Sequence, residues 1–245
     1  MQGYTDIHCH LFPCVDDGAR SREMSMEMFR IAWENGIRRM ILTPHNKPER
    51  RNISKMSLEK GLAELRQALG DLGMDMELYA GSEIYYRSDV AELLEQGDIP
   101  TMAGSSYVLV EFSPMDGFDH IRNGIYRLQA AGYQPVLAHA ERYRCVSSSM
   151  EKAGELYGMG CYIQVNADSI MGANGWQVRH FARMLLKKRM AHFVATDAHD
   201  DMRRAPCLVN CVKYIGRHFG EDYMAQLFQV NPSRIIADEY IDAMV

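Results

Sequence analysis

The 245-residue sequence carries 27 basic and 32 acidic residues, a formal net charge of -5 with no long run of either sign, which argues against a nucleic-acid or anionic-membrane partner. A composition of 47% hydrophobic and 24% charged residues without a low-complexity tract excludes a disordered chain and supports a buried core, here expected to be one domain over residues 1–245. The opening MQGYTDIHCH lacks the basic and apolar regions of a secretory leader, and no later stretch approaches the roughly 18 apolar residues of a membrane span. A cytoplasmic location is therefore expected. Cys9, Cys14, Cys145, Cys161, Cys207 and Cys211 form no C-x-x-C pair, as expected of reduced thiols, most of them small buried hydrophobes.

Along the chain, the first expected strand covers 4–9. A helix follows with Ser21 as N-cap and Gly36 just past its end, then a strand at 38–43. Ser54 opens a second helix before the strand at 76–82, and Ser88 and Gly97 bracket a third before the strand at 106–112. Gly132 ends a fourth helix, and strands at 134–139, 161–166 and 192–197 complete the series. This alternation predicts an α/β fold with a parallel sheet. Seven such units favour a barrel or distorted barrel, although an open doubly wound sheet fits the same pattern.

In the first strand, side chains two apart share a face, so His8 and His10 point one way with Asp6, and Ile7, Cys9 and Leu11 the other. Potential ligands then recur at strand ends: His45 after ILTP, Glu83 after AGS, Glu111 in LVEF, His139 in VLAH, and Asp197 with His199 in ATDAH. In a (β/α) barrel those ends converge on one mouth. A single histidine at a strand end is more often a hydrogen-bonded structural residue. Gathered imidazoles and carboxylates are costly in an apolar mouth unless a cation neutralises them. The nitrogen and oxygen donors, without thiolate, suit manganese, iron or zinc better than magnesium or calcium alone. His120, His180, His192 and His218 are read as structural.

DIHCH at 6–10, TPH at 43–45, the lone His139 and DAH at 197–199 resemble the four motifs of the polymerase and histidinol phosphatase (PHP) superfamily. Within it, VDDGARSREMS, GSEIYY, LVEFS, HAERY, CYIQVN and NPSRII look like the bacterial manganese-dependent tyrosine-protein phosphatases of capsular and exopolysaccharide gene clusters. The resemblance runs almost the whole chain. It implies a distorted seven-stranded (β/α) barrel of the PHP type holding three divalent metal ions, manganese ahead of iron or zinc. By position, His8, His10 and Asp197 would bind the first metal, with Glu83 bridging to a second held also by Glu111 and His139. Asp17, His45 and His199 would bind the third. Arg142 and Arg204 match arginines that contact phosphate, with Arg203 as the adjacent alternative.

The chemistry that follows is in-line attack on a phosphotyrosine by a metal-bridging hydroxide, coordination lowering the pKa of water from ~15.7 toward ~7. No phosphoenzyme would form. By resemblance, the substrate is the tyrosine-phosphorylated C-terminal tail of a bacterial polysaccharide-export kinase. A rim of Arg20, Arg22, Lys47, Arg50 and Arg51 fits such an acidic tail as well as it fits an ordinary solvated loop. Cys14 and Ala19 depart from the family, where glycine or an acid and proline are common, and bear on the shape of that loop.

Three rivals remain. Cys14 to Ser21 spells C-x5-R-S, the signature of cysteine-dependent tyrosine phosphatases, although two aspartates in that loop would repel a phosphate. A PHP-type enzyme could instead act on a small monoester such as histidinol phosphate, or on nucleic acid. A metal-binding scaffold without activity is the third.

Overall fold

The computed structural model describes residues 3–48 and 52–242. Nine strands run β1 (Tyr4–Cys9), β2 (Ile37–Leu42), β3 (His45–Asn46), β4 (Glu77–Ala80), β5 (Glu83–Tyr85), β6 (Tyr107–Glu111), β7 (Gln134–Leu137), β8 (Tyr162–Asn166) and β9 (Phe193–Ala195), with helices between them. Every strand pairing is parallel. One sheet has the order β1-β2-β4, the other β3-β5-β6-β7-β8-β9.

Two of the expected strands, at 38–43 and 76–82, are each followed by a further short strand that was not expected. β3 resumes the path of β2 after Thr43 and Pro44, and β5 resumes that of β4 after Gly81 and Ser82. Proline has no N–H for the ladder, so pairing lapses at Pro44, whose carbonyl accepts from the Glu83 amide at 3.1 Å. Gly81 allows the crossing: a Cβ there would come within 2.8 Å of Ile41 Cγ2. First and last strands meet through a parallel bridge between Cys9 and Ala198. The Asp197 amide donates to the His8 carbonyl at 2.8 Å, and the His10 amide to the Ala198 carbonyl at 2.9 Å.

Strand alternation sorts the core into two layers. Ile41, Tyr107, Leu109, Val136, Tyr162, Phe193 and Ala195 form an inner cluster. Met40, Leu42, Val108, Val110, Leu137, Ile163, Val165 and Val194 belong to the outer cluster, with helical residues such as Phe29, Leu62, Leu65, Ile125, Leu128, Leu185 and Ile215. Each fully buried aliphatic side chain contributes about 1.5–3 kcal/mol. Continuing each strand by two residues turns the inner layer polar: Glu111 follows Leu109, Gln164 and Asn166 follow Tyr162, and Asp197 follows Ala195. Apolar packing thus holds up a polar upper layer.

β1 departs from simple alternation. Its register shifts between Asp6 and Cys9. Ile7 therefore packs in the inner cluster rather than opposite the histidines, and the Asp6 carboxylate is taken up by Thr196 and the His8 amide.

Ser21 caps helix Arg22–Glu34 by accepting from the Met24 amide at 3.2 Å, and Ser54 caps helix Lys55–Asp71 by accepting from the Ser57 amide at 3.2 Å. The helix Val90–Glu95 begins at Asp89 rather than Ser88, and Arg87 holds the Asp89 carboxylate at 2.7 Å, away from any cap bond. All six cysteines are free, and Cys9, Cys161 and Cys211 are buried. Among the described residues, no helix is long and apolar enough to cross a membrane.

Candidate metal centre at the strand ends

The nine expected ligands gather in one connected cluster, although they come from seven chain segments. Glu83 is its centre. Oε1 lies 3.2 Å from His8 Nε2 and 2.9 Å from His139 Nε2, while Oε2 lies 3.3 Å from His10 Nε2 and 2.8 Å from His45 Nδ1. Asp197 Oδ1 stands 3.5 Å from His8, His10 and His199. Glu111 meets His45 at 3.1 Å and His139 at 3.9 Å, and Asp17 approaches His45 Nε2 at 3.3 Å from the solvent side. Three overlapping sets have donor atoms close enough to share an ion: His8, His10 and Asp197; His45, Glu83 and Glu111; and His10, His45 and His199. The first is the set expected for the first metal. The other two distribute His10 and His45 differently from the expected sets, and Asp17 and His139 adjoin them.

Whether this donor set fits metal ions can be tested on its hydrogen bonds. Buried polar atoms are normally paired. Here His45 Nδ1, Glu83 Oε2, Glu111 Oε1 and His139 Nδ1 are buried without a hydrogen-bond partner, although His45 Nδ1 and Glu83 Oε2 are only 2.8 Å apart. Ring nitrogens and carboxylate oxygens crowded together out of hydrogen-bond alignment suit a shared cation, and the residues fit one.

The electrostatics agree. Burial opposes charge throughout, yet His8, His10 and their neighbours hold the Glu83 and Asp197 carboxyls well below the usual carboxylate range. Burial likewise works against charged imidazoles, but Glu111 and Glu83 push His45 up to about 9, and Asp16, Asp197 and Glu83 raise His10 well above its usual value. His199 goes the other way, to about 3, through burial and repulsion by His10. Carboxylates and imidazoles thus favour each other's charged forms; divalent ions would supply the positive charge instead and displace protons on binding.

Backbone strain aims two of these ligands. His139 (φ 34°) and Asp197 (φ 52°) both sit in the left-handed region. Such conformations cost about 1–3 kcal/mol and persist where the surroundings over-determine them. The extra turn brings His139 into the mouth directly after Ala138, an inner-layer residue.

Behind the cluster lies a layer of amides and carboxylates that sequence patterning passed over. Gln164 Oε1 accepts from the His139 amide at 2.8 Å and lies 3.1 Å from His8 Nδ1. Its Nε2 donates to Asn166 Oδ1 at 2.8 Å, and Asn166 Nδ2 donates to Asp197 Oδ2 at 2.8 Å. Asp16 sits 2.7 Å from His10 Nδ1 and accepts from the His45 amide at 3.0 Å. Its pKa is about 2: burial opposes its charge, and His10 overrides that. Partners of this kind fix which ring nitrogen faces an ion. Gln164 and Asn166 continue the inner face of β8, and Asp16 lies on the loop after β1.

Of the arginines, Arg142 and Arg204 both reach Asp197 Oδ2, at 2.9 and 2.8 Å. The Arg203 side chain is exposed, and its amide donates to Asp200 Oδ1. Lys47 points into the cluster, 3.3 Å from both His45 Nε2 and Glu111 Oε1. Arg20 and Arg22 are exposed, Arg22 facing Glu64 at 3.8 Å, and Arg50 and Arg51 lie outside the described residues. The C-x5-R-S loop makes no phosphate cradle. Its amides at Cys14, Gly18 and Ala19 are spent on the Ala19 carbonyl, Asp16 and the His10 carbonyl, and the Cys14 thiol donates to the Arg20 carbonyl. His192, away from the cluster, accepts from the Ile163 amide and is structural.

Comparison with known proteins gives one family model, capsular polysaccharide synthesis CpsB/CapC, matching residues 4–237. The chain is 31% identical over 241 residues to the tyrosine-protein phosphatase CpsB of Streptococcus pneumoniae, covering 96% of this chain and 99% of the relative. It is 30% identical over 221 residues to the tyrosine-protein phosphatase YwqE of Bacillus subtilis, covering 89% and 85%. Among solved structures, one described with YwqE from Bacillus subtilis and CpsB from Streptococcus pneumoniae as unique metal-dependent tyrosine phosphatases superposes with a TM-score of 0.92 at 28% identity, over 98% of this chain and 97% of the other. A histidinol phosphate phosphatase from Lactococcus lactis, at TM-score 0.55 and 13% identity over 87% and 94% of the chains, shares the fold alone.

Proposed function

The chain belongs to the CpsB/CapC family of capsular polysaccharide synthesis, and we propose that it is a metal-dependent protein-tyrosine phosphatase, built over residues 1–245 as one domain with a distorted seven-stranded (β/α) barrel of the PHP type. The observation that carries this reading is the Glu83 carboxylate among four histidines, flanked by Asp197 with two arginines on its outer oxygen. That arrangement offers a cation cluster next to a phosphate-binding fork. His8, His10, Asp17, His45, Glu83, Glu111, His139, Asp197 and His199 would hold three divalent ions, manganese ahead of iron or zinc, consistent with donors of nitrogen and oxygen. Bound, such ions cover phosphoryl charge and acidify water.

The chain's own residues do the rest. Asp16 and Gln164 fix the rings of His10 and His8 so that their Nε2 atoms face inward. Arg142 and Arg204 present guanidinium donors whose paired geometry suits two oxygens of a phosphoryl group. Lys47 Nζ adds a third cationic donor beside Glu111. A tyrosine phenolate, of pKa about 10, leaves more readily than a serine or threonine alkoxide. The proposed substrate is the phosphorylated tail of a bacterial tyrosine kinase controlling capsule or exopolysaccharide synthesis, met in the cytoplasm.

Comparing kcat/KM for a phosphotyrosine peptide and for histidinol phosphate tests this. The peptide is expected to be preferred; preference for histidinol phosphate would move the chain to the small-monoester reading.

A further inference from the structure

Beside the mouth lies a groove of about 610 Å³, lined by segment 141–148 and the first turns of helix Trp176–Lys187. Arg142 is shared. It lines the groove, and its guanidinium bonds Asp197 in the metal centre, so groove and centre adjoin at this residue. Of the lining residues, Phe181 is buried and Arg144 and His180 are exposed. Trp176 stacks on His180 with ring centroids 5.4 Å apart and 18° between planes, yet remains 67% exposed. An indole steadied by a neighbouring ring and left open to solvent offers an apolar face at little further entropic cost, which is the usual composition of an interface anchor.

The surroundings favour a macromolecular occupant. Among the described residues, five of the nine exposed large hydrophobics are Met56, Met115, Met171, Trp176 and Met202. All five follow β3, β6, β8 or β9, on the connections that leave the C-terminal ends of the strands, where the metal centre also lies. Apolar side chains left exposed on the connections that carry the metal centre are within reach of a macromolecular partner engaged there. The groove's volume lies within the ~300–1,000 Å³ usual for binding sites, and the exposed Arg144 favours acidic company.

We propose that this groove is the subsite for the polypeptide flanking the phosphotyrosine, Trp176 receiving an apolar or aromatic side chain of that segment and Arg144 an acidic one. The proposal rests on the protein-phosphatase reading above. It makes Trp176 and Arg144 determinants of specificity, away from the reacting atoms.

The test compares wild type, Trp176→Ala and Arg144→Ala on a phosphotyrosine peptide with acidic and aromatic flanks and on p-nitrophenyl phosphate, which has no flanks. Each variant should lose about tenfold in kcat/KM on the peptide, chiefly through KM, and keep its rate on p-nitrophenyl phosphate. An equal loss on both substrates, or none on the peptide, overturns the subsite while leaving the phosphatase reading intact. Wild type that turns over p-nitrophenyl phosphate but no phosphopeptide overturns both. Dissociation of a dimer by Trp176→Ala with unchanged peptide kinetics would assign the groove to a second copy of the chain and overturn the proposal.

Discussion

Gln164 serves His8, the His139 backbone and, through Asn166, Asp197, so three proposed ligands depend on one buried amide. Replacing it by leucine keeps the approximate volume but removes every one of those bonds. Gln164→Leu should weaken manganese binding by roughly 10–100-fold, read by competition with a chelating dye. Unchanged affinity would show that the ligands hold their positions without it. At this scale the sequence was legible where chemistry and position coincide. His8, His10, His45, Glu83, Glu111, His139, Asp197 and His199 each carry a strong donor at a strand end, and the structure brings them together. Gln164 and Asn166 carried no such mark, because an amide in a strand is equally compatible with a solvated face. The positive φ of His139 and Asp197 also left no trace, since neither residue is glycine.

At the scale of elements, the join between β1 and the end of β9 decides whether His8 and Asp197 meet. Asp6 makes that join. Its carboxylate accepts from the Thr196 amide at 3.1 Å and from the Thr196 hydroxyl, fully buried, and burial lifts its pKa to about 6. Asp6→Ala leaves the Thr196 donors unpaired, a cost of about 1–3 kcal/mol, for which a chain of this length should lose roughly 2–12 °C in Tm. An unaltered Tm in thermal denaturation would contradict the role given to this clasp. Alternation alone placed Asp6 with the histidines, and a register shift is what separates them. The short strands β3 and β5, beyond Pro44 and Gly81, were similarly hidden, since two or three residues carry too little alternation to mark a strand. The other seven strands were legible because their runs sit between helix boundaries such as Ser21, Gly36 and Ser54.

For the whole molecule, the apolar inner cluster supports a polar layer whose negative groups demand positive company. The apolar clusters beneath that layer do not depend on it, so the fold should survive the loss of ions while the activity should not. The most direct measurement strips the protein with a chelator, confirms its fold by circular dichroism, and titrates manganese back while following both bound metal and phosphate release from a phosphotyrosine peptide. The account predicts a folded, inactive protein that recovers turnover as about three ions bind. Full turnover by the metal-free protein, or a protein that takes up no manganese, would contradict it.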